Sequence, residues 1–227
     1  MSESPRTGKV NVFLGGEGPN ELGGRAGDPV YQTGTLPGVV ETLLLRVQPD
    51  GWNVVGATKW SQIRKLRAKG PTPNEERNVL GLVYEAKRAG AHVAAFVRDA
   101  DDDKSRPKVI EDAIAKAELA FPEVQVIGGA ALPVLEGWIL AILGAEGTEK
   151  LGKVAAQSKL DERGIARKDT AAMVQVAVDA ALDEIPADAT SLRKWLGTAA
   201  NVLPRLVQGA VRRDVQAPEN DTPTPRR

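Results

Sequence analysis

The chain has 227 residues, 42% of them hydrophobic, with 30 lysines and arginines balanced by 30 acids. It can bury one good core, and with no net charge it exerts no global field toward nucleic acid or membrane, so any such attraction must come from a local patch. The absence of cysteine excludes a disulfide framework, thiolate catalysis and a cysteine zinc site, and the single histidine excludes multi-histidine metal sites.

The opening residues MSESPRTGK contain no apolar run suited to a signal peptide. No later stretch approaches the roughly 18 apolar residues of a membrane span. A cytoplasmic protein without a membrane partner is expected.

Through the first 145 or so residues, strand-length apolar runs alternate with helix-period segments, the pattern of a parallel sheet flanked by helices. Lys9 to Leu14 (KVNVFL) reads as the first strand and ends in GGEG. A helix is expected over Pro37 to Val47 and a second strand over Trp52 to Ala57. Thr72-Pro73-Asn74-Glu75 has the form of a capping box, so a helix should run from Pro73 to Arg88 and stop at Gly90. Ala91 to Arg98 is nearly all apolar and reads as a central third strand. Then come a helix over Arg106 to Phe121, a fourth strand over Val124 to Ile127 and an apolar helix over Leu132 to Leu143.

From Thr148 to about Val207 only helical segments are legible. The expected organisation is a flexible N-terminus (1–8), an α/β domain (9–147), a helical extension (148–207) and a disordered tail (208–227) rich in proline and charge. Trp195 and Tyr84 read as packing residues, and His92 as a core or edge histidine.

Ligands of open parallel sheets bind at the C-terminal strand ends, and two acidic clusters fall there. Glu17 follows the first strand, with Glu21 one helical turn further on. Asp99, Asp101, Asp102 and Asp103 follow the third strand, where alternation would send Asp99, Asp101 and Asp103 to one side. Four neighbouring carboxylates need a cation or basic side chains to neutralise them. Acids converging from two strand ends form an oxygen-rich site suited to magnesium or manganese. A solvated turn with helix-capping acids is the alternative for the aspartate run, and an ordinary turn residue for Glu17. Glu136 lies inside the apolar helix "PVLEGWILA" and calls for a positive partner.

Other motifs fail on the same residues. An EF-hand starting at Asp99 would need glycine and glutamate where Lys104 and Ile110 stand. A phosphate-binding loop at Gly18 lacks its lysine, and a dinucleotide fingerprint from Gly16 breaks at Glu21. The glycines are expected to let the backbone turn tightly beside the acids.

With Glu17 in "VNVFLGGEG" and Asp99-x-Asp101 in "VRDADDD", the chain resembles the TOPRIM superfamily, the module shared by topoisomerases, DnaG-type primases and OLD-family nucleases. More narrowly, it is similar to stand-alone TOPRIM-like proteins found near bacterial defence genes, through the acid and tryptophan of "LEGWILA" and the lysine of "RKDTAAMV". The resemblance implies a TOPRIM-like parallel sheet and metal-dependent phosphodiester hydrolysis of DNA or RNA, with a role in anti-phage defence. It implies magnesium or manganese held by Glu17, Asp99 and Asp101, with Glu21, Asp103 and Glu136 as further ligands, and Lys168 as the cation on the scissile phosphate. Topoisomerase or primase activity is not expected, because these 227 residues show neither gate domains nor a zinc region.

Nucleic acid is expected along "KWSQIRKLRAK", where Lys59, Arg64, Lys65, Arg67 and Lys69 stand without an acid and Trp60 offers a stacking ring; a solvated basic helix is the plain alternative. The other functional class is a non-catalytic subunit, binding a metal or a partner protein encoded in the same operon, or pairing with copies of itself.

Overall fold

The computed structural model describes residues 9–26, 36–66 and 72–216. It is an α/β structure with four parallel strands, flanked by helices and completed by a long C-terminal helix. The strands are β1 (Val10–Gly16), β2 (Trp52–Lys59), β3 (Val93–Asp99) and β4 (Gln125–Ala131), in the order β2-β1-β3-β4. The chain runs outward from β1 to β2 and then returns past β1 to start β3. The β1–β3 boundary is therefore the point where the winding reverses, which is where open α/β sheets offer a crevice.

Side-chain alternation divides the core into two layers. Val10, Val12 and Leu14 of β1 and Val93, Ala95 and Val97 of β3 face α2 (Val39–Val47), α5 (Leu135–Ile142), α7 (Thr170–Val178) and α8 (Thr190–Gln216). Phe13, Ala94 and Phe96 face the opposite way, toward α3 (Asn74–Arg88) and α4 (Arg106–Ala120). Continued by two residues, this alternation puts Arg98 on the α3/α4 face and Asp99 on the α5 face. The remaining helices are the single turn α1 (Pro19–Leu22) and α6 (Lys153–Glu162).

Several boundaries differ from expectation. β1 runs on through Gly15 and Gly16, so these glycines are strand residues that permit close packing: a Cβ on Gly16 would come within 2.5 Å of the Glu21 Cβ. β4 continues through Gly128 and Gly129 to Ala131, and α5 begins only at Leu135. The expected capping box does not form, because α3 starts after Pro73 with no side-chain cap, and the Glu75 carboxylate instead accepts from the Trp60 indole at 2.8 Å. At the other end of the chain, α8 passes Val207 and continues to Gln216, into the stretch expected to be disordered. Among the described residues no helix is long and apolar enough to cross a membrane.

Candidate functional site

Strand alternation does not govern the aspartate run. β3 ends at Asp99, and the backbone then turns left-handed at Asp101 (φ 52°) and Asp102 (φ 61°), a conformation that aspartate tolerates better than most residues. The three aspartates consequently separate. Asp99 points to the α5 face and accepts from the Leu135 amide at 2.8 Å. Asp101 is held by Arg106 at 2.8 Å and by Lys153, with Arg98 3.7 Å away. Asp103 is exposed and caps the turn before α4, accepting from the Ser105 amide and hydroxyl at 2.9 and 2.7 Å. The charge of the run is thus neutralised largely by Arg98, Arg106 and Lys153.

The acids from β1, β3 and α5 do come together. A cleft of about 460 Å³ is lined by Glu17, Glu21, Asp99 and Glu136 together with Lys153, Arg167 and Lys168. Glu21 is only 6% exposed and accepts from the Gly18 amide at 2.8 Å. Burial, reinforced by the charge of Glu136, raises its carboxyl to about 7 against two opposing backbone hydrogen bonds. Burial also lifts Asp99 to about 7, with Glu21, Glu136 and Asp101 adding to the shift and the Leu135 amide resisting it. Asp101 goes the other way: burial would raise it, but the hydrogen bonds from Lys153 and Arg106 outweigh that and hold it below the usual carboxylate range.

Glu136 is 5% exposed, yet it has no hydrogen bond or ion pair with any described residue. No described cation pairs with it, and its carboxylate oxygens are not sealed in the core but belong to the cleft lining. With Glu21 and Asp99 alongside, its chemistry fits a hard cation with oxygen ligands. The fit is incomplete as the side chains stand: among the described residues no three acids or histidines form a ready-made metal-binding group. Glu17 explains part of this, because its Oε1 is engaged by Arg98 and by the Asp99 amide at 3.1 Å.

The cationic wall joins Lys153, the first residue of α6, to Arg167 and Lys168 of the segment between α6 and α7. Asn20 fastens that segment, donating to the Arg167 carbonyl at 3.1 Å while its own Oδ1 accepts from the Thr170 hydroxyl at 2.8 Å. The side chains of Arg167 and Lys168 are exposed, and neither pairs with an acid among the described residues. Both Arg167 and Lys168 line the cleft. Lys153, Arg167, Asn20 and Thr170 were not singled out in the sequence; Arg167 could have been found as the neighbour of Lys168, whereas Lys153 follows an unremarkable Leu151-Gly152.

The expected nucleic-acid strip is only partly surface. Trp60 is 6% exposed, 5.3 Å from the Phe96 ring, and it lies beneath the Arg98 guanidinium. It is a core residue, unable to stack on a base. Arg64 and Lys65 are exposed after a short 3-10 turn, Lys59 lies beside Gly16 at the sheet's C-terminal edge, and Arg67 and Lys69 fall outside the described residues.

Compared with family models, curated proteins and solved structures, the chain matches none.

Proposed function

We propose that the cleft is a divalent-metal-dependent phosphodiesterase site acting on nucleic acid, of the kind that TOPRIM nucleases carry, in a protein of anti-phage defence. The observation that carries this reading is Glu136, buried and without an ionic or hydrogen-bonded partner among the described residues, in one cleft with Asp99 and Glu21 and with Arg167 and Lys168, which pair with no described acid. Asp99, Glu136, Glu21 and Glu17 would hold magnesium or manganese, which supplies positive charge to the attacking and leaving oxygens of an in-line displacement. Lys168 and Arg167 orient the phosphate by charge and hydrogen bonding. Asp101 acts at one remove, holding Lys153 at the rim of the cleft. Lys59, Arg64 and Lys65 contribute non-specific attraction to the polymer.

The test is incubation of the purified protein with single- and double-stranded DNA and with RNA, plus magnesium or manganese. Cleavage is expected, falling at least about a hundredfold in Glu17→Ala and Asp99→Ala and about tenfold or more in Lys168→Ala. Undiminished cleavage in Asp99→Ala would remove the assignment.

A second reading, a non-catalytic binding subunit, is favoured by one observation: Glu17 and Asp101 are both neutralised by the protein's own cations. Metal-dependent thermal stabilisation with no cleavage of any polymer, together with stable co-purification of a partner protein, would select that reading.

A further inference from the structure

Glu17 stands at the boundary between the two faces of the sheet. It lines the cleft with Asp99 and Glu136, on the α5 side. Yet its Oε1 is taken by Arg98, whose side chain lies on the opposite, α3/α4 side, over the Trp60 ring at 5.8 Å from its centre. The strand period of two makes this division unavoidable, since consecutive residues Arg98 and Asp99 must point to opposite faces.

Arg98 does not depend on Glu17 alone. Its guanidinium also reaches Glu75 of α3 at 3.3 Å, and Asp101 is 3.7 Å away. Glu75 is in turn anchored by the Trp60 indole at 2.8 Å. If Glu17 swung into the cleft, the guanidinium would keep Glu75 and Asp101, both shared with Arg106, and the cost of an unpaired buried cation would be lessened. Glu17 therefore has two cationic destinations, and only one of them belongs to the folded chain.

We infer that Arg98 is a resident counter-cation that competes with the divalent ion for Glu17 and so sets the protein's metal affinity, with Glu75 as the acceptor that lets Arg98 release it. The inference rests on the proposed metal site, and it makes Arg98 a positioning residue acting through Glu17. The guanidinium and its acceptor then have opposite effects. Removing Arg98 leaves Glu17 held only by the Asp99 amide, whereas neutralising Glu75 leaves Arg98 more firmly on Glu17.

The experiment is titration of the full chain with manganese(II), following free ion by electron paramagnetic resonance, for the wild type, Arg98→Gln, Glu75→Gln and Glu17→Gln, each checked for folding by thermal denaturation. Arg98→Gln is expected to bind manganese about tenfold more tightly than wild type, a change of one charge-assisted hydrogen bond. Glu75→Gln should bind several-fold more weakly, and Glu17→Gln should bind least. A double variant separates competition from plain charge: in the Glu17→Gln background Arg98→Gln should no longer tighten manganese binding, whereas a through-space effect of the guanidinium would persist.

Wild-type binding that is lost in Glu17→Gln but unchanged in both Arg98→Gln and Glu75→Gln would overturn the inference and leave the metal site standing. No manganese binding by the wild type or by Arg98→Gln would overturn both, while binding that emerges only in Arg98→Gln supports both. If Arg98→Gln fails to fold, Glu75→Gln and the conservative Arg98→Lys decide: unchanged affinity in both counts against the inference.

Discussion

Glu21 and Asp99 hold protons in the folded protein that the unfolded chain would already have released, because burial raises both carboxyls from their ordinary values to about 7. A raised acid binds protons preferentially in the native state, so stability falls as pH rises through the interval between the unfolded and folded values. Their contribution is complete below about pH 4, declines toward neutrality and is lost above about pH 7. Without metal, the melting temperature should fall by a few degrees between about pH 5 and pH 8 through these two groups. Asp99→Asn should flatten that slope. Added magnesium should restore more at about pH 8 than at about pH 6, because protons compete with the ion for the same oxygens. Differential scanning calorimetry at the three pH values checks the sign, and a slope unchanged by Asp99→Asn would disprove the assignment.

At the scale of elements, the cationic wall depends on one side chain of α1. Asn20 makes both hydrogen bonds that fasten the segment leading into α7. Asn20→Ala should cost about 1–3 kcal/mol and speed amide hydrogen exchange locally across residues 163–170, with the sheet amides unaffected. Uniform acceleration throughout the chain would show that the fastening is not local. The elements themselves were legible where a short apolar run or a clear helical period stands between turn signals: Ala91 to Arg98, nearly all apolar, read as a strand and forms β3 at Val93–Asp99, and α4 was placed to within a residue. Legibility failed where tertiary contacts override local pattern. Gly15 and Gly16 read as a turn but extend β1 because Leu82 and Glu21 pack against their bare backbone. Thr72 to Glu75 read as a capping box, but Glu75 is drawn to Trp60 and Arg98. Of the site, Glu17, Glu21, Asp99, Glu136 and Lys168 were visible as acids and a cation at expected places, and all five line one cleft. Asp101 and Asp103 were misplaced because a strand period was carried past the strand's end, into a left-handed turn. Lys153 arrives from a distant helix, which no local pattern signals.

Across the whole molecule, the helices after residue 148 share a core with one face of the sheet. Trp195 of α8 is buried, lies 6.0 Å from the Trp138 ring and donates its indole N–H to the Phe96 carbonyl of β3 at 3.0 Å. Ala156, Leu160, Met173, Leu192 and Leu203 join the same cluster as Val12 and Val97. Urea unfolding should therefore be a single transition, and Trp195→Ala should lower stability by about 3–5 kcal/mol without splitting it in two. A separate early transition for the helical part would contradict the shared core. This shared core has a consequence for how the protein comes into being. The acids of the cleft are complete once Glu136 has been made, but its cations follow only with Lys168, and the helix that covers the sheet beneath begins later still, at Thr190. Synthesis from the N-terminus therefore makes the sheet and its acids before Lys153, Arg167 and Lys168 and before the helix that covers one face, so that among the described residues the cleft is one of the last features to be completed.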